Sequence, residues 1–574
     1  MTDAPGSGRG AGRRVGPYAR LVVESLVTLT VNGREVTVDD GSASGRPANA
    51  RLSLLDVLRE QLGLSSVKDG CSPQGQCGCC TVLVDGQPRV ACVTPARRVR
   101  GRTVTTLEGL EERDRWAEAF CATGASQCGF CTPGIIMRLA GTDRERDTTD
   151  IIDPSPSPSP SPTVNQALLA HLCRCTGWQT IGEAWDRFHG RGSSEPTGPT
   201  RDLGAAAHRA AVEGGAVQMV GPDVALGHGG FAADTAPADA LVAVRSADGS
   251  WVVAESVAEA RVRAGKVQGR RTTAAHRWPL EVPPGDWDVA LRTTWVDPAY
   301  LETDASWCAP GGAPYTTVAN GGAFGAKVQP GGVEALDVAA VARRLADEHD
   351  HPVLVLASRE DVARFGAKRP PVAAGINPDL ASFRIAATTG VDVAVEDGLR
   401  AAGFEGQIVV ELVDVPGPPT SASVRAAGSA EARVLLAGFL GRVGTVRSPS
   451  GGEAEAEVDP GGGGADPVVR VAVRCGPILD AVVLRSYCIG AAHMAWSWLT
   501  SEALAVDESG DVHDLTIRSF GVLRAVDTPR IEVELIESDG EPVNGSDAVF
   551  VAVAASGWLA RGCRTDWPIG LDPG

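Results

Sequence analysis

The sequence predicts an α+β multidomain fold: a small mixed-sheet domain, a helical bundle and a large α/β body. Three observations lead there. Two β-rich runs, residues 26–31 and 34–38, flank Asn32-Gly33, the strongest short hairpin signal. From Arg113 to His189 the apolar spacing turns helical. Beyond residue 203, helical stretches mix with alternating runs such as Val469, Val471 and Val473. The expected divisions are a disordered basic tail (1–24), the sheet domain (25–110), the helical domain (111–190), a linker (191–202) and the body (203–574).

Each element has a local reason. The tail carries Arg9, Arg13, Arg14 and Arg20 among glycines and has no apolar stretch behind its arginines. Ser53 can cap a helix running through Gln61, with Leu54, Leu55, Leu58 and Leu62 on one face. The loop 70–80, rich in glycine and cysteine, precedes a strand at 81–84, an Asp85-Gly86 turn and a return to about Val93. Val104-Thr105 offers one more strand. In the helical domain, Ala117, Phe120 and Cys121 suit one helix. Pro133 suits the first position of a second, backed by Ile135, Ile136 and Leu139. Ala167, Leu168, Leu169 and Leu172 suit a third; Ile181, Ala184, Trp185 and Phe188 suit a fourth. A Pro-Ser alternation ending at Pro162 forbids a helix and gives an extended spacer. In the body, 333–345 reads as a helix leading to a strand at 352–357. Ile531, Val533 and Leu535 mark a half-buried strand, and 546–560 a helix with small residues on one face.

The cysteines carry the chemistry. Ten of the 14 lie within residues 71–175: Cys71, Cys77, Cys79, Cys80, Cys92, Cys121, Cys128, Cys131, Cys173 and Cys175. In a reducing compartment such density means metal or redox chemistry rather than disulfides. The scattered Cys308, Cys475, Cys488 and Cys563 read as small buried hydrophobes. Cys71, Cys77, Cys80 and Cys92 approach the plant-type [2Fe-2S] spacing, with the first gap one residue longer, so that 72–74 bulges and Cys79 is left over. Gly75 and Gly78 free the backbone to turn N–H groups toward cluster sulfurs. The alternative is a structural zinc knuckle, which more often pairs two short Cys-x2-Cys hooks. Cys128-x2-Cys131 and Cys173-x-Cys175 supply four further thiolates. Cys131 lies just before the helix at Pro133, and Cys175 precedes another with Thr176 as its expected cap; helix N-termini favour the negative charge of a thiolate-ligated cluster.

Three stretches, Asp69-Gly70-Cys71 through Gln76-Cys77-Gly78-Cys79-Cys80-Thr81-Val82, Gln127-Cys128-Gly129-Phe130-Cys131-Thr132-Pro133-Gly134 and Leu172-Cys173-Arg174-Cys175-Thr176-Gly177-Trp178, resemble the xanthine dehydrogenase / aldehyde oxidase family of molybdenum hydroxylases. The resemblance covers residues 25–190. It implies a β-grasp ferredoxin-like domain and a four-helix domain, each holding one [2Fe-2S] cluster, with Gln127 near a molybdopterin cofactor. It extends more thinly into the body, which looks like a truncated molybdopterin-binding domain opening at 231–244. Gly321-Gly322-Ala323-Phe324-Gly325-Ala326-Lys327 resembles the family's Gly-Gly-x-Phe-Gly-x-Lys loop, so Gly321, Gly322, Phe324 and Gly325 are candidate cofactor contacts. Ser358-Arg359-Glu360-Asp361 through Pro370 follows in family order, Arg425 echoes a cofactor-lining arginine, and 542–547 resembles the closing motif. The loop is not a phosphate-binding Walker loop, because no Ser or Thr follows Lys327. The family's catalytic glutamate aligns at Ser546, which leaves the adjacent Asp547 as the candidate base.

The implied activity is oxidation of an aldehyde or N-heterocycle at a molybdopterin centre, with electrons leaving through two clusters. The alternative is a non-catalytic electron carrier with a vestigial molybdenum domain. No dinucleotide fingerprint is found, so no FAD is expected on this chain and the acceptor would be a separate flavin subunit or another redox partner, in a homodimer or hetero-oligomer. The net charge of −18 argues against nucleic acid or an anionic membrane as partner. No apolar run approaches the roughly 20 residues of a membrane span, and the expected address is the cytoplasm.

Overall fold

The computed structural model describes residues 26–42, 51–147, 162–191, 201–270, 272–316, 321–327, 336–461 and 466–571. The basic tail, nearly all of the Pro-Ser alternation and most of the linker lie outside the described residues.

The first sheet is built as the hairpin signal requires. Strands β1 (Leu26–Val31) and β2 (Arg34–Asp39) pair antiparallel, with Val31 opposite Arg34 across the Asn32-Gly33 turn. Ser53 caps α1 (Leu54–Asp56) in a reciprocal pair: Asp56 N–H donates to Ser53 Oγ at 3.3 Å, and Ser53 N–H to Asp56 Oδ2 at 2.8 Å. The helix continues through the wider turns of Val57–Gln61. Strands β3 (Thr81–Val84), β4 (Gln87–Val90) and β5 (Thr103–Thr105) complete the order β2-β1-β5-β3-β4, in which β5 runs parallel to β1. The returning strand stops at Val90, short of the expected Val93. A 3₁₀ turn, Ala91–Val93, takes over and carries Cys92.

The bundle comprises α2 (Arg113–Thr123), α3 (Thr132–Asp147), α4 (Pro162–Ala167) and α5 (Gln179–Phe188). Trp116 of α2 stacks on Phe188 of α5, with ring centroids 3.7 Å apart. Two expectations are corrected. The third helix does not run to Leu172; it ends at Ala167 and tightens into Leu168–Ala170, because Leu172 N–H is taken by Cys77 C=O at 3.0 Å. Thr176 does not cap the fourth helix. Trp178 holds that position with φ of 68°, and Thr176 Oγ1 instead lies 3.1 Å from Cys173 Sγ.

Three sheets form the body. The first has the order β10 (Tyr315–Thr316), β9 (Ala305–Cys308), β11 (Val353–Leu356), β6 (Leu241–Arg245), β7 (Trp251–Ala254). The second is β14 (Gln407–Val413), β13 (Leu380–Ala386), β12 (Val372–Ile376), β8 (Val289–Arg292). The third is β15 (Val446–Arg447), β16 (Glu453–Asp459), β17 (Val468–Arg474), β18 (Arg530–Ile536). Parallel neighbours need a crossover. Between β13 and β14 it contains α8 (Val391–Ala401), and between β17 and β18 it contains α9 (Ala481–Thr500). Helix α6 (Leu203–Gly214) opens the body, α7 (Val338–His349) precedes β11, and α10 (Ser546–Ala560) packs on α9. The helix expected at 333–345 begins at Val338, where Asp337 caps it by accepting from Ala340 N–H at 2.9 Å; 333–335 lie outside the described residues.

In β17, Val469, Val471 and Val473 all point into the core, as alternation demands; in β18, Ile531 is buried while Val533 and Leu535 are half-buried. Cys308, Cys475 and Cys488 are buried, whereas Cys563 is only half-buried. Among the described residues no helix is long and apolar enough to cross a membrane.

Candidate redox site

The loop between Gly70 and Cys80 gathers its thiols around Cys71. That thiol is in hydrogen-bonding contact with Cys77 and Cys92, and Cys92 in turn with Cys80. Two backbone donors point at sulfur: Gln74 N–H to Cys71 Sγ at 3.1 Å and Cys92 N–H to Cys80 Sγ at 3.4 Å. Gly78, at φ of 76°, is needed here, since a Cβ would sit 2.4 Å from the His171 ring. Cys79 touches Cys77 and feels the charge of Cys128 as well as of Cys71.

The second group joins its two half-motifs crosswise. Cys131 pairs with Cys173, and Cys175 lies 3.8 Å from Cys128. Hydrogen bonds from Cys131 and Thr176 draw the Cys173 thiol down to about 6, whereas the same hydrogen bond with Cys173 pushes Cys131 up, with burial and the charge of Cys173 adding to it. Four thiols this close, three of them buried and Cys175 half-buried, cannot all ionise unaided; bound cations would neutralise them. Each group therefore offers two pairs of soft ligands, the donor set of a dinuclear iron–sulfur cluster. Among the described residues no three His, Cys, Asp or Glu side chains gather as the ligands of one metal ion would.

The cysteine segments are held by the body. Arg174 makes a two-point pair with Glu502, at 2.5 and 2.7 Å, and donates to Pro298 C=O at 3.0 Å, all buried. Gln127 Nε2 donates to Cys175 C=O at 3.0 Å and to Ser486 Oγ of α9 at 2.9 Å. On the other loop, Arg359 donates to Gly70 C=O at 2.9 Å, and Arg518 to Gln76 C=O at 2.7 Å.

Beside the second group lies a cavity of 180 Å³. Cys128, Cys175 and Gln127 form one wall; Phe324, Gly325, Arg425 and Asp547 form the other. The structure thus brings together four body residues from three separate segments with Cys128 and Cys175. Gly321 and Gly322 begin the same turn, Gly321–Gly325, that delivers Phe324 and Gly325. A Cβ on Gly325 would lie 1.8 Å from Ser423 C=O, so only glycine lets this turn lie against the arginine segment, where Arg425 N–H donates to Phe324 C=O at 3.0 Å. Arg425 and Ala426 hold positive φ, at 47° and 50°, a costly backbone for such residues.

Arg425 is nearly buried and pairs with Asp547 at 2.9 Å, while its Nε has no partner among the described residues. Asp547 N–H donates to Asn544 Oδ1 at 2.9 Å, and Ser546 is fully buried. Sequence reasoning missed Glu213, whose buried carboxylate accepts from Gly545 N–H at 3.1 Å and Ser546 N–H at 2.9 Å. Burial raises its pKa, against the pull of Arg209. Gln218 and Tyr487 also line the space and were missed, beside Asn544 of the closing motif; Tyr487 OH donates to Gln218 at 2.8 Å. A glutamate at the end of an ordinary amphipathic helix carries no spacing signal.

An orphaned guanidinium nitrogen, a fixed amide and a backbone turn suit a polar, anionic cofactor. The volume is below the about 300–1,000 Å³ usual for cofactor-sized ligands, so the cavity would hold only part of such a group.

Comparison with known proteins agrees with the cysteine pattern. The [2Fe-2S] binding domain family matches residues 106–186. The nicotinate dehydrogenase small FeS subunit of Eubacterium barkeri is 38% identical over 149 residues, 25% of this chain and 87% of that protein. The xanthine dehydrogenase iron-sulfur-binding subunit of Escherichia coli O157:H7 is 41% identical over 131 residues, 22% of this chain and 76% of that protein. In fold, the chain resembles the aldehyde oxidoreductase of Desulfovibrio gigas with a TM-score of 0.61 at 15% identity, over 92% of this chain and 97% of that one. On its iron–sulfur segment, the chain belongs to the xanthine dehydrogenase / aldehyde oxidase family of molybdenum hydroxylases.

Proposed function

We propose that the protein is an iron–sulfur oxidoreductase of the molybdenum-hydroxylase type, oxidising an aldehyde or N-heterocycle and passing the electrons through two [2Fe-2S] clusters to a separate acceptor. The observation that carries this reading is the 180 Å³ cavity in which Cys175 and Gln127 meet Phe324, Gly325, Arg425 and Asp547. Cys128, Cys131, Cys173 and Cys175 would hold the inner cluster, and Cys71, Cys77, Cys80 and Cys92 the outer one. When bound, molybdopterin-molybdenum would supply the two-electron oxidation itself.

The chain's own residues position and screen. Arg425 would offer its positive charge to an anionic group of the cofactor. Gln127 is fixed by Cys175 and Ser486, and would hold the cofactor beside Cys128 and Cys175. Asp547 is the nearest carboxylate in the closing motif, held by Arg425 and Asn544. Glu213 positions that motif by binding its Gly545 and Ser546 N–H groups.

One observation favours the second reading, an electron carrier that does no molybdenum chemistry: Asp547 already neutralises Arg425 across the small cavity. Turnover separates the two. Purified protein is assayed for aldehyde- or N-heterocycle-dependent reduction of an artificial dye acceptor, beside an Arg425→Ala variant. Activity that falls at least about tenfold in the variant supports the oxidoreductase. A full complement of clusters with no turnover on either substrate class favours the carrier.

A further inference from the structure

The outer cysteine group comes nearest to the surface at one point. Cys71, Cys77 and Cys80 are each 1% exposed, whereas Cys92 is 6% exposed and its neighbour Val93 is 54% exposed. Val93 packs on the cysteine loop so closely that a Cβ on Gly75 would lie 2.8 Å from its Cγ1. An apolar side chain faces water here, against one cysteine of the group and against the loop that carries the others.

The charge around this point is opposite to that of the chain. The net charge is −18, yet residues 88–102 hold five arginines, Arg89, Arg97, Arg98, Arg100 and Arg102, and no acidic residue. Arg102 is paired with Asp85 at 2.6 Å. The other four are exposed: Arg89 on the edge strand β4, Arg97 and Arg98 on the 3₁₀ turn Ala96–Val99, and Arg100 just after it. None of the four forms an ion pair among the described residues; Arg89 only donates to Pro88 C=O at 2.9 Å. On the other flank of the loop, Arg518 donates to Gln76 C=O at 2.7 Å and Leu169 C=O at 2.9 Å, and it too meets no carboxylate among the described residues.

A single exposed arginine without a partner means little, because surface pairs are weak. Crowding is different. Like charges on one short segment repel, and an oppositely charged surface relieves that repulsion and is steered toward it. Arg89 and Arg97 are four residues from Val93 and Arg98 is five, so none is more than about 18 Å from it along an extended chain. One side of a standard interface, about 800 Å² or roughly 30 Å across, has that span.

We propose that this patch is the docking face for the electron acceptor, and that the acceptor is an acidic protein with a one-electron centre, its carboxylates meeting Arg89, Arg97, Arg98 and Arg100 around an apolar contact on Val93. The proposal rests on the reading that Cys71, Cys77, Cys80 and Cys92 hold a [2Fe-2S] cluster, and is independent of molybdenum. Each transfer moves one electron from the reduced cluster to the partner's centre, oxidising the first and reducing the second, with no bond made or broken and no proton moved. Nucleic acid or an anionic membrane would also suit arginines, but neither accounts for their gathering at the most exposed cysteine of a redox group.

The test uses full-length, cluster-loaded protein, reduced with dithionite and freed of the excess, so that no substrate is needed. The probes are native and succinylated cytochrome c, which set the same haem in a basic and an acidic shell. Haem reduction is followed by stopped flow at about 0.01 M salt, where the screening length is about 30 Å, and at about 1 M, where it is about 3 Å. The chain's net charge alone favours the basic form. The patch predicts the reverse: the acidic form reacts at least about tenfold faster at low salt and loses that advantage at high salt. Arg97→Glu/Arg98→Glu slows the acidic form by about tenfold or more. Arg442→Glu/Arg564→Glu, the same charge change at two exposed positions on the body, does not, and both variants keep the clusters' visible absorbance. A faster basic form, or a rate that ignores Arg97→Glu/Arg98→Glu, overturns the proposal. So do equal rates for the two cytochromes together with salt-dependent binding of duplex DNA or phosphatidylserine vesicles that the same variant abolishes. Protein that purifies without two clusters that bleach on reduction refutes the cluster reading itself, before any acceptor is added.

Discussion

Cys173 and Cys175 each face a cysteine of the other half-motif, so neither half can hold a cluster alone. A Cys173→Ser variant is therefore expected to lose the inner cluster and keep the outer one, with iron and sulfide content falling by about half. Loss of both clusters, or of neither, would refute this partition of ligands. Beside this group, His493 of α9 is buried, and burial, helped by the charge of Arg174, lowers it from 6.5 to about 3. The sign follows from linkage. Unfolded protein takes up this proton as pH falls through 6.5, and folded protein resists it until about 3. Stability present above pH 6.5 is therefore lost on acidification, by up to about 5 kcal/mol if the full shift is realised. Denaturant midpoints between pH 7 and pH 4 should fall less steeply in His493→Gln than in the parent. The gathering of the cysteines into two groups was legible because soft-metal chemistry links residue type and spacing. Glu213 was not, because it reaches the closing motif by folding, across more than three hundred residues.

Helix α9 shows how elements set the site. Its Gly490 lies so close to the inner loop that a Cβ would be 1.8 Å from Cys175 C=O. One turn earlier Ser486 receives Gln127, and Gly124 approaches to where its Cβ would be 2.9 Å from Ser486 Cβ. Gly490→Ala should push the helix away from the loop and cost about 1–3 kcal/mol, read as a lower denaturation midpoint, with a shift in the inner cluster's spectrum. Retention of both midpoint and spectrum would show that the contact is slack. The hairpin at Asn32-Gly33, the capped helix at Ser53 and α10 were readable from sequence, since turn chemistry, capping and small-residue spacing are local signals. The end of the third helix and the cap of the fourth were not. Leu172 N–H is claimed by Cys77, and Thr176 by Cys173, and both partners come from the cysteine fold rather than from neighbours in sequence.

Across the molecule, one core runs from Val27 and Leu29 of the first sheet, through Trp116 and Trp185 of the bundle, to Trp295, Leu504 and Phe520 of the body. The cysteine segments are thus built into the body rather than tethered to it, and Arg174, Gln127, Arg359 and Arg518 fix their geometry. That continuity was invisible in the sequence, where the family resemblance is strong only over residues 25–190 and the body's motifs are thin. On the proposed reading, the inner cysteine group abuts a cofactor cavity in the same chain. Metal analysis of protein purified with its native cofactors tests this most directly. About one molybdenum for every four irons is expected, with equal iron and sulfide. Four irons with no molybdenum, or zinc in place of iron, would contradict it.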